Sequence, residues 1–352
     1  ADIVEDGSTF EENAIIKDLK AVEGLGAVSV ICSDKTGTLT QNKMTVQKVY
    51  VDNKLIEGRE LKKDNLAHRF LINNALLCND SVTVEGKEIG DPTEVALVNL
   101  GEELHLDELV IREKYQRISE IPFDSDRKLM STVNIVNNKQ VLFTKGALDV
   151  LINKVNYVAD SHGIRKLNDE ERKEIISVNK QLSEQGLRIL AFAYKELQDK
   201  EEITKEDEND YVFTGLISMI DPPRVESKDA VHKCIMAGIK PVMITGDHKV
   251  TAAAIAREIG IMGKDDIAVE GLEIDKLNDE QLKEKVKNIS VYARVSPEHK
   301  IRIVRAWQSS GEIVAMTGDG VNDAPALKQA DIRVAMGITG TEVSKYAASV
   351  IL

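Results

Sequence analysis

Little in this chain suits it to a disulfide scaffold, to nucleic acid or to a bilayer. Its 352 residues hold three cysteines (Cys32, Cys78 and Cys234), far apart and inside apolar segments. No C-x-x-C occurs, so the three are expected as reduced, buried side chains of a cytosolic compartment rather than as bridges or metal ligands. None of the six histidines falls in an H-E-x-x-H pattern, which argues against a zinc site of that kind. Basic residues number 46 against 59 acidic ones, for a formal net charge of -13. With no Lys/Arg cluster, a phosphate-backbone partner such as nucleic acid is not expected. No apolar run approaches the roughly 20 residues that cross a bilayer, and the start, Ala1 to Gly7, lacks the basic and apolar regions of a signal peptide. The chain as it stands is therefore expected to be soluble. Gly24-Leu25-Gly26 has Ser29 in place of a third glycine and precedes a strand instead of following one, which rules against a dinucleotide fingerprint. Asp124-Ser125-Asp126 begins like a calcium loop, but the later Gly and Glu are missing.

What is present is globular in composition, 42% hydrophobic and 30% charged, and long enough for two domains. Val28 to Cys32 is a short β-branched run, the pattern of a strand buried on both faces. It ends in Asp34-Lys35-Thr36-Gly37-Thr38, which cannot continue it. Residues 1–13 are acidic and read as a tail, and Ala14 to Leu19 as a short helix. After Thr40 the pattern becomes α+β: a hairpin around Asp52-Asn53, helices over Asn65 to Leu77 and from Asp91-Pro92 onward, and strands over Val110 to Ile121, Leu129 to Val136 and Gln140 to Thr144. Helices over Ala147 to Lys154 and Asp169 to Gln185 and a strand over Arg188 to Tyr194 follow. Gln198 to Asp210 is a run of charge and reads as a solvated boundary loop. Beyond it, strands (Val212 to Ile220, Lys240 to Ile244, Ile289 to Ala293, Glu312 to Met316) alternate with helices (Val225 to Ala237, Val250 to Ile259, Pro297 to Trp307, Asn322 to Gln329), which predicts a parallel sheet covered on both faces. The predicted organisation is an N-terminal tail or linker (1–19), then one α/β domain (20–45 and 213–352) interrupted by an inserted α+β domain (46–212).

Three strands of the α/β domain end in related punctuation: Asp34 to Thr38, Thr245-Gly246-Asp247, and Thr317-Gly318-Asp319-Gly320 with Asn322-Asp323. Parallel strands bring these ends to one edge, where open α/β sheets hold their ligands. Asp34, Asp319 and Asp323 should then converge beside Thr and Gly residues whose hydroxyls and backbone N–H groups suit a phosphoryl group. Clustered carboxylates repel unless a cation sits among them, and a hard, oxygen-liganded ion such as Mg2+ fits. Lys300 follows Ser296-Pro297, an N-cap and first helical residue, and so lies at a helix end that favours anions.

On these residues the chain resembles the P-type ATPases, cation pumps that form an aspartyl phosphate. Ile31 to Thr40 is similar to the phosphorylation motif, Thr245-Gly246-Asp247 and Thr317 to Pro325 to the conserved loops of the phosphorylation domain, and Asp221-Pro222-Pro223-Arg224 to the hinge between the two domains. The resemblance implies a haloacid-dehalogenase-like, doubly wound parallel sheet (the P domain) carrying an inserted nucleotide-binding domain (the N domain). Within the insert, Lys145-Gly146-Ala147 resembles the adenosine-pocket lysine motif and Phe123 the ring that stacks on adenine. Glu94, Lys128, Met130 and Arg188 fall where that pocket has contacts. An aromatic face for the base and cations for the phosphates make physical sense. Gln41 to Thr45 and Phe123 to Met130 are most similar to calcium-transporting pumps. Arg333 and Ser349 depart from the family pattern of Gly and an acid, and Arg333 is expected to disturb its strand.

The resemblance implies that ATP is held by the insert and that Asp34 attacks its γ-phosphate. Mg2+ would be held by Asp34, Asp319 and the Thr36 carbonyl, with Asp323 orienting the metal shell. Thr245, Asp247, Lys300 and Asn322 would hold phosphate oxygens, and Thr36, Gly246 and Arg294 would complete the contacts. Phosphatases of this fold carry an acid/base Asp two residues after the nucleophile; Thr36 stands there instead, which should make the phosphoenzyme slow to hydrolyse. In a full-length pump the partners would be membrane helices, an actuator domain and a transported cation, at the cytosolic face of a membrane. Two rivals remain at this point: a free-standing phosphatase of the same fold, and a nucleotide-binding module without turnover.

Overall fold

Residues 14–17, 23–198, 203–337 and 340–352 are described by a computed structural model, which divides into two compact units, residues 1–42 with 221–352, and residues 43–220. The acidic stretch 1–13 lies outside the described residues. No helix among the described residues is long and apolar enough to cross a membrane.

The first unit is built on an eight-stranded sheet, in the order Ile15–Ile16, Val350–Ile351, Ile332–Ala335, Val314–Gly318, Val30–Asp34, Lys240–Ile244, Ile289–Ala293 and Ile267–Glu270. All neighbours are parallel except Ile15–Ile16, which runs against Val350–Ile351. Val30–Asp34 sits inside the sheet, with Ile244 opposite Asp34 on one side and Thr317 opposite Ser33 on the other. Alternate residues of these strands enter different apolar clusters: Val30, Cys32, Val314 and Met316 pack with Trp307, whereas Ile31 and Ala315 pack with Ile332 and Val350. Both faces are therefore covered, as a buried parallel sheet requires. Helices Ser227–Met236, Lys249–Ile259 and Pro297–Ser309 alternate with the strands, and Gly260 closes the second of them at φ 88, a conformation that favours glycine.

The second unit carries a nine-stranded sheet. Its main path runs Gly163–Lys166, Val155–Asp160, Tyr211–Ile220, Arg188–Glu196, Lys139–Gly146, Leu129–Val136 and Arg117–Asp124, with Thr45–Val51 also paired to Tyr211–Ile220 and Lys54–Glu57 to Thr45–Val51. Helices Leu66–Leu77, Pro92–Glu103 and Asp169–Glu184 accompany it.

Several expectations change. Tyr211–Ile220 belongs to the second unit, where it pairs antiparallel with Arg188–Glu196 and Thr45–Val51, so the second boundary falls at Ile220 and not near 212. A fully buried apolar run marks a core strand but not the sheet it joins. The charge run before it is no boundary either: Glu208 within it is 1% exposed. Glu108–Lys114 is a helix and not the start of a strand, because the Asp107 carboxylate accepts from the Leu109 and Val110 N–H groups, and such a cap outweighs the β preference of Val110 and Ile111. Ile15–Ile16 is a strand, not helix. Pattern also missed the strand Ile267–Glu270 and the hairpin of Val155–Asp160 with Gly163–Lys166. Arg333 is accommodated in Ile332–Ala335, its carbonyl accepting from the Ser349 N–H at 2.9 Å, although its Nε has no partner; nothing in the structure explains an arginine there.

Candidate functional site

At the C-terminal edge of the parallel sheet, Asp34 closes its strand and the chain turns sharply. Thr36 remains extended, Gly37 takes φ 74, and the Thr40 N–H returns to the Lys35 carbonyl at 3.0 Å. Asp34 is 8% exposed, and its N–H is held by the Thr317 hydroxyl at 3.3 Å. Asp34, Asp319 and Asp323 each place a carboxylate oxygen within 4.8 Å of the others. Lys300, in the first turn of a helix capped by Ser296 with Pro297 behind it, sets its ammonium 3.3 Å from Asp34 and 2.5 Å from Asp323. Asp323 also accepts from the Asp319 and Gly320 N–H groups at 3.2 and 2.9 Å. That approach requires Gly318, whose Cβ would lie 2.5 Å from the Asp323 Cβ.

One lysine faces three carboxylates, and the imbalance registers in their acidity. Burial, with Lys300 opposing and Asp323 and Asp319 adding repulsion, pushes Asp34 up to about 7. Burial and Asp323 raise Asp319. For Lys300 burial works against the charge, but the attraction of Asp34 and Asp323 outweighs it and raises the group. The donor set is all hard oxygen, half-enclosed and short of positive charge, which fits a small divalent cation.

Around this centre the remaining expected residues divide. Thr245 is 2% exposed, and its hydroxyl accepts from the Asp247 N–H at 3.1 Å. The Asp247 carboxylate pairs with Lys35 at 2.7 Å, and an ionised carboxylate has no proton to donate to phosphate. Gly246 meets no neighbour that would exclude a side chain. Asn322 is exposed beside Asp323, and Arg294 is exposed with its guanidinium on the His248 ring at 2.8 Å. Two residues escaped sequence reasoning. Lys35, 2% exposed, stands between Asp247 and, at 3.7 Å, Asp221. Arg224 donates to the Gly37 and Thr38 carbonyls at 2.8 and 3.1 Å, and the Thr40 hydroxyl donates to Asp221 at 2.5 Å. The only signal for these was the charge in Asp221-Pro222-Pro223-Arg224 and in the motif itself.

In the second unit Met130 and Lys145 face each other across adjacent strands, both buried at 2% and 5%. Lys145 forms an ion pair with Glu94 and donates to the Cys78 carbonyl at 2.5 Å. The other Glu94 oxygen accepts from the Asp80 N–H and the Ser81 hydroxyl at 3.0 and 3.2 Å. Phe123 lies 63% exposed at the end of its strand, and Lys128, at φ 57, pairs with Asp149 at 2.8 Å. Gly146 fits tightly behind the turn, since a Cβ there would come 2.1 Å from the Lys128 carbonyl oxygen. Arg188 is exposed at the start of the next strand, three residues before Ala191, which pairs with Gly146. The structure thus joins Glu94, Lys145 and Met130 directly, with Phe123 and Lys128 on the adjoining turn. Cys32 and Cys78 are buried and burial raises both thiols, that of Cys32 to about 12, as inert core residues require; Cys234 is partly exposed.

Comparison with known proteins gives concordant matches. The family model of the P-type ATPase cytoplasmic domain N matches residues 64–226. A calcium-transporting ATPase of Listeria monocytogenes is 52% identical over 346 residues, covering 97% of this chain and 39% of that protein. A calcium-transporting ATPase of Lactococcus lactis is 50% identical over 345 residues, with the same two shares. One of Saccharomyces cerevisiae is 39% identical over 370 residues, 97% of this chain and 38% of that protein. The chain spans well under half the length of these relatives.

Proposed function

The chain belongs to the P-type cation ATPases, and on that premise we propose that it binds Mg-ATP and transfers the γ-phosphoryl group to Asp34, the energising step of a cation pump whose cargo is calcium. The single observation that carries the reading is the cluster of Asp34, Asp319 and Asp323 around Lys300 at one sheet edge. We read the first unit as a haloacid-dehalogenase-like P domain and the second as the N domain. The calcium assignment rests on the relatives' names. The rest of the pump would be membrane helices at whose cytosolic face the chain works and an actuator domain.

In the proposed step an ionised Asp34 oxygen attacks the γ-phosphorus, a phosphorus–oxygen bond forms, the bond to the bridging oxygen breaks, and that electron pair leaves on ADP. Asp34, Asp319 and Asp323, with the Thr36 carbonyl, would hold a magnesium ion, which when bound offsets the charge on the phosphoryl oxygens. Lys300 draws Asp34 toward its ionised form and holds a phosphoryl oxygen afterward. Thr245, Gly246, Asn322 and Arg294 line the same edge as further oxygen contacts. Asp247 acts through Lys35, whose ammonium it fixes beside the nucleophile's turn. Thr36 supplies no carboxylate for hydrolysis, so the acyl phosphate persists. In the N domain Phe123 stacks on the adenine, Lys145, Lys128 and Arg188 receive the polar and phosphate groups, and Glu94, Met130 and Gly146 shape the pocket.

Incubation with γ-labelled ATP and Mg2+ tests this. Acid-stable, hydroxylamine-sensitive label is expected on the chain and none on Asp34→Asn. Free phosphate without trapped label would instead indicate a phosphatase, and nucleotide binding without either would indicate a module without turnover.

A further inference from the structure

The most deeply buried carboxylate among the described residues of the second unit lies outside every residue assigned above. Glu208 is 1% exposed, in a segment otherwise dense with charge. It forms an ion pair with Arg127, which is itself only 10% exposed. The same Glu208 oxygen accepts from the Ser131 hydroxyl at 2.6 Å. Because Ser131 spends its one proton there, it must accept from Thr144 at 2.7 Å, and Thr144 must in turn accept from Tyr211 at 2.6 Å. Three hydroxyls thus point in one direction and end on one carboxylate. Lys154 fixes the Glu208 carbonyl at 2.8 Å.

The position of this chain of bonds gives it meaning. Ser131 follows Met130 and Thr144 precedes Lys145, on strands where successive side chains point to opposite faces. The apolar clusters agree: Met130, Val141 and Phe143 pack on one face, and Leu129, Val133, Leu142 and Tyr211 on the other. Glu208 therefore ends a polar row directly behind the strand positions that present Met130 and Lys145. Through Arg127 it also reaches the turn. The Arg127 guanidinium donates to the carbonyls of Ile121 and Pro122, at 3.4 and 2.5 Å, the two residues before Phe123. Its backbone N–H and that of Asp126 are held by the Asp124 carboxylate at 3.1 and 2.9 Å, and those two bonds keep Asp124 below the usual carboxylate range. A buried ion pair contributes little net stability compared with apolar residues of the same volume. What this one does supply is a fixed geometry for the turn between Phe123 and Lys128.

We propose that Glu208 is a positioning residue for nucleotide: through Arg127 it sets the Phe123–Lys128 turn, and through Ser131, Thr144 and Tyr211 it braces the strands carrying Met130 and Lys145. This rests on the nucleotide-site reading above. Two measurements on the 352-residue chain test it. In the ligand-free protein, Glu208→Gln is expected to lose hydrogen-exchange protection at the amides of Asp126, Arg127 and Lys128 while the strand Tyr211–Ile220 keeps its own. By calorimetric titration with Mg-ATP and with ADP, Glu208→Gln is expected to weaken binding of both by about tenfold, since the charge-assisted half of the network is gone. Arg127→Ala and the Arg127→Ala/Glu208→Gln pair are expected to weaken it no further than either alone. Leu61→Ala, in another apolar cluster, serves as a variant of comparable melting loss and is expected to bind as the parent does. Parental protection and parental affinity in Glu208→Gln overturn the inference, as does an affinity loss matched by Leu61→Ala. Absence of binding by the parent overturns the nucleotide-site reading instead, and the exchange measurement still decides whether Glu208 holds the turn.

Discussion

The ammonium of Lys300 stands 3.3 Å from a carboxylate oxygen of Asp34, so the proposed nucleophile and the cation that tempers it touch before any ligand arrives. That single contact does not balance the site, because Asp323 shares the lysine at 2.5 Å and Asp319 adds a third carboxylate. From the burial of Asp34 first, and from that imbalance second, follows a pH dependence.

Asp34 is raised from an ordinary 3.8 to about 7 in the folded chain. Between those values the folded state binds more protons than the unfolded one, so stability falls as pH rises through the window and is greater at pH 5 than at pH 8. In EDTA, Asp34→Asn should accordingly melt higher than the parent at pH 7.5, by on the order of 1–2 kcal/mol once the lost Lys300 contact is deducted. At pH 4.5 the difference should shrink. Equal melting temperatures at both pH values would show that the charge on Asp34 carries no net penalty from burial and repulsion together.

Magnesium should reverse that penalty. A cation bound only by the folded chain stabilises it by about 2.7 kcal/mol at a hundredfold excess over its dissociation constant. The expected result is a rise in melting temperature with Mg2+ that is steeper at pH 8 than at pH 6, and mostly absent in Asp319→Asn. A rise that survives in Asp319→Asn would move the ion elsewhere.

Much of this was legible in residue order, for physical reasons that differ from place to place. A five-residue apolar strand ending in Asp34 is readable because parallel strands are buried on both faces and their ends share an edge; Lys240–Ile244 and Ile289–Ala293 match expectation for the same reason. Ser296, Pro297 and Asp91, Pro92 announced their helices because caps are local. What was not legible depended on partners distant in sequence. Tyr211–Ile220 reads as a buried strand in either unit, and only its pairing with Arg188–Glu196 decides. Glu208 hides in a charge run because its partners, Arg127 and Ser131, lie some 80 residues earlier. The pairing of Asp247 with Lys35, far earlier in the chain, was equally out of reach of local pattern.

Lys35 should be the more costly half of its pair. Its side chain is 3% exposed between Asp221 and Asp247, whereas Asp247 is 42% exposed. Lys35→Met removes the buried cation that both Asp221 and Asp247 contact and is expected to cost about 3 kcal/mol. Asp247→Asn keeps a partner for the lysine at Asp221 and should cost under about 1 kcal/mol, as half-exposed pairs do. Urea titration of both variants measures this, and equal losses would contradict the asymmetric burial.

Phe123 separates binding from folding most cleanly. Its ring is 63% exposed and appears in no apolar cluster of the described residues, so Phe123→Ala should change stability by no more than about 0.5 kcal/mol. If the ring stacks on adenine, the same substitution removes about 1–3 kcal/mol of base–aromatic contact, a loss of roughly 5- to 150-fold in affinity. The loss should be alike for ATP, ADP and AMP, because the base is common to all three. Inorganic phosphate analogues that reach only Asp34 should bind Phe123→Ala as they bind the parent. Unchanged ATP affinity in a variant with an unchanged melting temperature would remove Phe123 from the site, and with it the reason that the turn Glu208 supports should matter to nucleotide at all.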